Sequence, residues 1–212
     1  MIADNLQRVN SRIDSIELNH EVQLIAVSKT RSTSEIQEAV NAGQVHFGEN
    51  YLQESLDKIS FFKERELIWH FIGPIQSNKT ALIAENFDWV HSVDRLKIAK
   101  RLSDQRDPRL GKLNILIQIN IDEELTKSGL LLKDVNEIIL EVHDLPNISL
   151  RGFMCIPSPK NSAKSFSEMA DLILKYPFLD SLSMGMSSDL ELAIKNGATF
   201  VRVGTDIFGP RS

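Results

Sequence analysis

The chain has 212 residues, of which 42% are hydrophobic and 25% charged, and its formal net charge is −5. That length and balance suit one domain with a sizeable core, exclude a disordered chain, and lack the Lys/Arg-rich block that a nucleic-acid or anionic-membrane surface needs. The single cysteine, Cys155, excludes an internal disulfide framework and reads as a buried small hydrophobe in a reducing, hence cytoplasmic, compartment.

From Met1 to Leu18, apolar residues recur at Ile2, Leu6, Val9, Ile13 and Ile16. This is helical spacing interrupted by charges, neither a signal peptide nor a membrane span. Short apolar runs then alternate with longer helical stretches. Strands are predicted at Leu24–Ser28, Val45–Gly48, Leu67–Ile72, Trp89–Val93, Asn114–Asn120, Ser149–Met154, Ser181–Met184 and Phe200–Val203. Helices are predicted at Ser34–Ala42, Tyr51–Phe62, Ser77–Asn86, Arg95–Gln105, Lys133–His143, Ala163–Lys175 and Leu190–Asn196. No linker or low-complexity segment divides the chain, so residues 1–212 read as one domain. A βα alternation implies a parallel sheet, and eight strands are the count of a closed α/β barrel of the TIM (β/α)8 type, here with an extra N-terminal helix. The competing reading is an open doubly wound sheet, which is weakened because no G-x-G-x-x-G follows the first strand.

Local signals agree with the barrel. Ser32 with Glu35 makes a capping box, while Gly43 and Gly197 stand as helix stops. In Asn114–Asn120 three isoleucines share one face and face outer helices, which turns Gln118 and Asn120 inward near the C-terminal mouth, where barrel sites are built.

Lys29 stands where Leu24-Ile25-Ala26-Val27 gives way to Ser28-Lys29-Thr30-Arg31. Strand alternation places it with Ile25 and Val27. If that face points into the barrel, the amine sits at the mouth, and burial there raises its neutral, nucleophilic fraction as a Schiff-base residue needs. The alternative is a surface lysine just past a strand.

At the seventh and eighth strand ends, Met184-Gly185-Met186-Ser187-Ser188-Asp189 and Val201-Arg202-Val203-Gly204-Thr205 stand where barrels bind phosphate with loop N–H groups. Ser187, Ser188 and Thr205 add hydroxyls, and Gly204 admits close backbone approach. Ser188 or Asp189 as a helix cap and Gly204 as a turn residue form the plainer alternative. Arg202, opposite Val201 and Val203, needs a ligand atom or a carboxylate if it is buried. His70 reads as a satisfied core histidine, and Gly48-Glu49-Asn50 and Gln76–Lys79 reach the same face without being assigned catalysis. The five histidines show no close-spaced metal motif, and neither a G-x-S-x-G elbow nor a P-loop is present.

Taken together, Ala26–Thr30, Phe47-Gly48-Glu49-Asn50, His70-Phe71-Ile72-Gly73 with Gln76–Lys79, Met184–Asp189 and Val201–Gly209 closely resemble the pyridoxal-phosphate homeostasis family over nearly the whole chain. The resemblance implies a single-domain, alanine-racemase-like barrel of PLP fold type III that carries pyridoxal 5′-phosphate (PLP). By matching position it implies that Lys29 forms the internal aldimine, that Ser187, Ser188, Gly204 and Thr205 hold the phosphate, and that Arg202 faces the pyridine nitrogen. Asn50, His70 and Met154 then line the pocket, and Pro74 marks a loop expected to vary. An arginine at the ring nitrogen disfavours its protonation and leaves the cofactor a poor electron sink. The resemblance therefore implies a carrier or regulator of intracellular PLP, not an enzyme, with PLP and apo-PLP enzymes as partners, no nucleic acid or membrane, and a monomeric state. An amino-acid racemase is the alternative. Racemases of this fold add a second domain that brings a tyrosine, whereas this chain ends at Ser212 and its only tyrosines, Tyr51 and Tyr176, fall at the ends of predicted helices. A Schiff-base aldolase without a cofactor is a third reading.

Overall fold

Eight short strands close into a parallel barrel in chain order: β1 Gln23–Val27, β2 His46–Glu49, β3 Ile68–Phe71, β4 Trp89–Val93, β5 Leu113–Ile119, β6 Ile148–Cys155, β7 Ser181–Ser183 and β8 Phe200–Val203. Pairing of β1 with both β2 and β8 leaves no sheet edge. The structure, a computed structural model, describes residues 1–17, 20–124 and 126–210. Leu18 and Ser212, the expected ends of the leading helix and of the domain, lie outside the described residues.

The helices are α1 Ile2–Asp14, α2 Thr33–Asn41, α3 Leu52–Phe61, α4 Thr80–Asn86, α5 Leu96–Gln105, α6 Val135–His143, α7 Ser162–Leu174, α8 Leu190–Lys195 and α9 Thr205–Phe208. The Ser32–Glu35 capping box opens α2 with both reciprocal bonds formed. Two helices start later than their periodicity predicts, because Ser77–Lys79 and Leu132–Asp134 are tight 3-10 turns leading into α4 and α6. Neither tyrosine is helical, contrary to expectation. Tyr51 is the extended N-cap of α3 (φ −119°), and Tyr176 follows the last turn of α7 and precedes Pro177, which disfavours the helical region for the residue before it. The sequence pattern does not show α9, one short turn stopped by Gly209 and Pro210.

Because so little helix follows β8, the shell there is completed by α1, which packs against α2, α8 and α9 and buries Ile2, Leu6, Val9 and Ile13. The main apolar core lies between barrel and helices. Ile115, Ile117 and Ile119 face it as the alternation of β5 predicts, together with Phe47, Phe153, Val201 and Val203 from neighbouring strands and Ile36, Ile98 and Phe166 from helices. Cys155 is buried there too, its thiol pushed up to about 12 by desolvation. At the N-terminal end the barrel is closed by rings: Trp89 stacks on His70 (centroids 5.8 Å apart) and meets Phe200 edge-on at 4.8 Å. Among the described residues no helix is long and apolar enough to cross a membrane.

Candidate functional site at the barrel mouth

Lys29 follows β1 by two residues and is half-buried. The next residue, Thr30, has φ 63°, an outlier for a β-branched side chain that costs about 1–3 kcal/mol. The turn is held from behind. The Thr30 N–H donates to Glu54 Oε1 at 2.6 Å, and the Arg31 N–H donates to the Ser28 carbonyl at 3.0 Å. Lys58, from α3, donates to Glu54 Oε1 (2.5 Å), Glu49 Oε1 (2.7 Å) and the Ser28 carbonyl (2.7 Å). Ser28 Oγ completes the cluster by donating to Glu49 at 2.6 Å. Glu49 and Lys58 are buried, and desolvation pushes the Glu49 carboxyl above its usual range against the pull of Lys58. This cluster braces the backbone on either side of Lys29. Sequence reasoning reached Glu49 but missed Lys58 and Glu54. No sequence signal pointed to Lys58: α3 buries Ser55 and Lys58, and Lys58 lies off the face that the apolar residues Leu52, Leu56 and Ile59 mark.

Across the mouth, the loop from Met184 to Asp189 turns at Gly185 (φ 93°), where a Cβ atom would lie 2.5 Å from that of Ala193. Only glycine fits that turn. Asp189 occupies the N-cap of α8 without a side-chain cap bond; its carboxylate turns back to accept from the Met186 N–H (2.8 Å) and Ser162 Oγ (2.9 Å). The capping alternative therefore fails for Asp189, which shapes its own loop. Ser188 and Thr205 are exposed, while Ser187 and Gly204 are half-buried. A Cβ on Gly204 would lie 3.3 Å from the Val27 carbonyl, so the second loop runs against the strand that carries Lys29.

Arg202 lies inside the barrel and is 5% exposed. Its guanidinium donates to Ser183 Oγ at 2.6 Å and to the Cys155 carbonyl at 2.9 Å, at the C-terminal ends of β7 and β6. No carboxylate of the described residues pairs with it, and Asp189 acts only at longer range. The ion-pair alternative is thus absent, and burial alone lowers the guanidinium's pKa. Beneath it runs a polar column: Ser183 Oγ to His91 Nδ1, His91 Nε2 to His70 Nδ1, and His70 Nε2 to His46 Nδ1, each 2.9 Å. Neutral rings satisfy every link in either sense, and the sense that leaves no Ser183 hydrogen idle starts at the arginine. Arg202 donates into Ser183, Ser183 into His91, and each histidine passes its Nε2–H to the next. Burial drives His70 and His91 well below their ordinary 6.5, the Arg202 charge adding to the effect at His91, so neutral rings are the favoured state.

Gln118 and Asn120 do turn into the mouth. With Asn50, Ile72, Lys127 and Ser128 they line a cleft of about 240 Å³. Gln118 Nε2 donates to the Ser128 carbonyl (2.9 Å) and Asn120 Nδ2 to that of Glu124 (2.8 Å), folding the β5–α6 segment over the opening. Asn50 Oδ1 is buried there with no partner among the described residues. Nothing in the local periodicity marks Lys127 or Ser128, which this fold-over brings in. His70 and Met154 are 0% exposed and lie beneath the mouth, off its open surface. His70 reaches the site only through His91 and Ser183. Among the described residues no cluster of three or more His, Cys, Asp or Glu side chains is placed to hold a metal ion.

The fold and this mouth define an alanine-racemase-type barrel: residues 1–212 match the family described as alanine racemase, N-terminal domain. An alanine racemase of Clostridium difficile 630 shares the fold, with a TM-score of 0.76 at 14% identity over 99% of this chain and 56% of the racemase. Within that class the chain belongs to the pyridoxal phosphate homeostasis proteins, being 49% identical over 226 residues to the Escherichia coli K12 member, with 99% of this chain and 97% of the relative covered. PipY of Synechococcus elongatus, solved with PLP bound, has a TM-score of 0.86 at 36% identity, covering 99% of this chain and all (100%) of that one.

Proposed function

We propose that this protein binds PLP reversibly at the barrel mouth and buffers or hands it on to PLP-dependent enzymes. The observation that carries the reading is Arg202, a buried cation without a carboxylate partner, set between the strand of Lys29 and two hydroxyl-bearing loops. That donor set fits a phosphorylated pyridine aldehyde. PLP, when bound, supplies an aldehyde that condenses reversibly with an amine. Lys29 offers the amine, and the Glu49–Lys58–Glu54 cluster fixes its turn. Ser187, Ser188, Thr205 and the Gly204 backbone offer donors for the phosphate. Arg202 can only donate, so it cannot take a proton from the pyridine nitrogen or stabilise its protonated form as a carboxylate does. Asn50 faces the bound group from just past the end of β2. His70 and Met154 support the floor beneath it. In this role residues 1–212 act as one domain, a cytoplasmic monomer, and sedimentation of the loaded protein as a dimer would overturn the monomer.

Weak electronic activation is why the protein is a carrier and not a racemase. Loaded protein is expected to restore an apo-PLP enzyme while turning over common amino acids negligibly; turnover of about 1 s⁻¹ or more on any of them would make it an enzyme. Lys29→Ala is expected to stay folded and lose the borohydride-trappable pyridoxyl group. An undiminished adduct on another lysine would remove Lys29 from the site. Ser187→Ala or Thr205→Ala should weaken PLP by about 1.5–3 kcal/mol and leave pyridoxal, which lacks the phosphate, nearly unchanged.

A further inference from the structure

We infer that Arg12, on the leading helix α1, is a positioning residue that ties together the two loops of the phosphate cup and offsets the carboxylates beside them. The inference rests on PLP phosphate lying between those loops, as proposed above. Arg12 Nε and Nη2 grip the Glu191 carboxylate at 2.6 and 3.1 Å, at the start of α8. Its Nη1 donates to Asp206 Oδ2 at 2.7 Å, next to Thr205, and Nη2 also donates to the Ser187 carbonyl at 2.9 Å. One planar fork therefore spans the loop after β7 and the loop after β8.

Two physical consequences follow. In a trans peptide the C=O and the following N–H point in opposite directions, so drawing the Ser187 carbonyl toward Arg12 turns the Ser188 N–H away from Arg12, to the side on which it can meet the proposed phosphate. Arg12 also holds the Glu191 carboxyl below its usual range through its hydrogen bonds. Without the guanidinium, Glu191, left with only the weaker pull of Lys195, and Asp206 would both stand as negative charges beside a phosphate dianion.

Plain docking of α1 is carried by other groups. Ile2, Leu6, Val9 and Ile13 are buried on its inner face, and Asn5 Nδ2 donates to the Ile207 carbonyl at 2.8 Å, reaching the β8 side alone and not bridging the two loops. Asn5→Ala is thus the control for a merely structural role.

The test is to titrate wild type, Arg12→Ala, Arg12→Lys and Asn5→Ala with PLP and with pyridoxal, and to follow thermal unfolding. Arg12→Ala is expected to weaken PLP about tenfold and pyridoxal by less than about twofold, the size of one charge-assisted contact at a partly exposed site. Arg12→Lys keeps the charge but loses the fork and should fall between, which also covers failure of the alanine variant to fold. Asn5→Ala should lower the unfolding temperature and leave the PLP-to-pyridoxal ratio unchanged. Equal weakening of both aldehydes by Arg12→Ala, or the same discrimination in Asn5→Ala, would overturn the assignment. If Ser187→Ala and Thr205→Ala discriminate while Arg12→Ala does not, only the role of Arg12 falls. If none of them discriminates, the phosphate site falls with it.

Discussion

Around the barrel, Phe47, Ile115, Ile117 and Phe153 meet Ile36, Ile98 and Phe166 in an apolar layer that is 0% exposed. Inside it, His46, His70, His91, Ser183 and Arg202 run as one hydrogen-bonded file from the closed N-terminal end toward the mouth. The two regions answer to different energetics. Each buried shell side chain gains about 1.5–3 kcal/mol on leaving water, so the shell drives folding. The column gains little net, because each of its hydrogen bonds replaces one made to water, and it retains a cation without a carboxylate partner. A fold that already has its stability outside can keep a polar interior for a ligand.

The largest effect that would break this contrast lies in the shell. Phe153→Ala is expected to cost about 3–5 kcal/mol in urea unfolding, the usual range for emptying a fully buried phenylalanine site. A loss under about 1 kcal/mol would show that the stability resides elsewhere.

Acid sharpens the comparison from the other side. His70 and His91 are held well below 6.5 in the folded chain, so below that pH the unfolded chain takes up protons that the folded one refuses. Their stabilising contribution is complete above pH 6.5 and is lost as pH falls, by about 1.4 kcal/mol per unit for each ring and about 2.7 kcal/mol for both. Glu49, shifted upward, works in the opposite sense and softens the slope toward its ordinary 4.5. Urea unfolding measured from pH 7 to 5 gives the slope directly. A flat profile would mean that the buried rings accept protons in place.

Arg202→Met should have the smallest effect on stability, within about 1.5 kcal/mol of wild type, because burying the unpaired guanidinium already costs about what its two hydrogen bonds return. PLP affinity measured on the same sample should fall. A stability loss above about 3 kcal/mol would place Arg202 with the shell as a structural member and erase the distinction.

Residues differ in how openly the sequence displays them. The isoleucines of β5 and the Ser32–Glu35 box are legible because period-two alternation and capping depend on neighbours within a few positions. Lys58 is not legible: it lies off the apolar face of α3, and its partners Glu49 and Ser28 come from other elements. His70 reads correctly as a satisfied core histidine, although nothing local names His46 and His91 as the groups that satisfy it. The starts of α4 and α6 were blurred because a 3-10 turn and an α-turn carry nearly the same apolar spacing.

The sequence by itself determined the eight strands, the helical shell apart from α9, the family and the motifs at the mouth, since each is written in short-range periodicity or in contiguous residues. Only the tertiary structure decided which side chains of distant elements share a hydrogen bond. Ring closure brings Arg12 to the Ser187 carbonyl across 175 positions and His91 to Ser183 across 92, and the energy of such a contact depends on the geometry of closure and not on any local pattern.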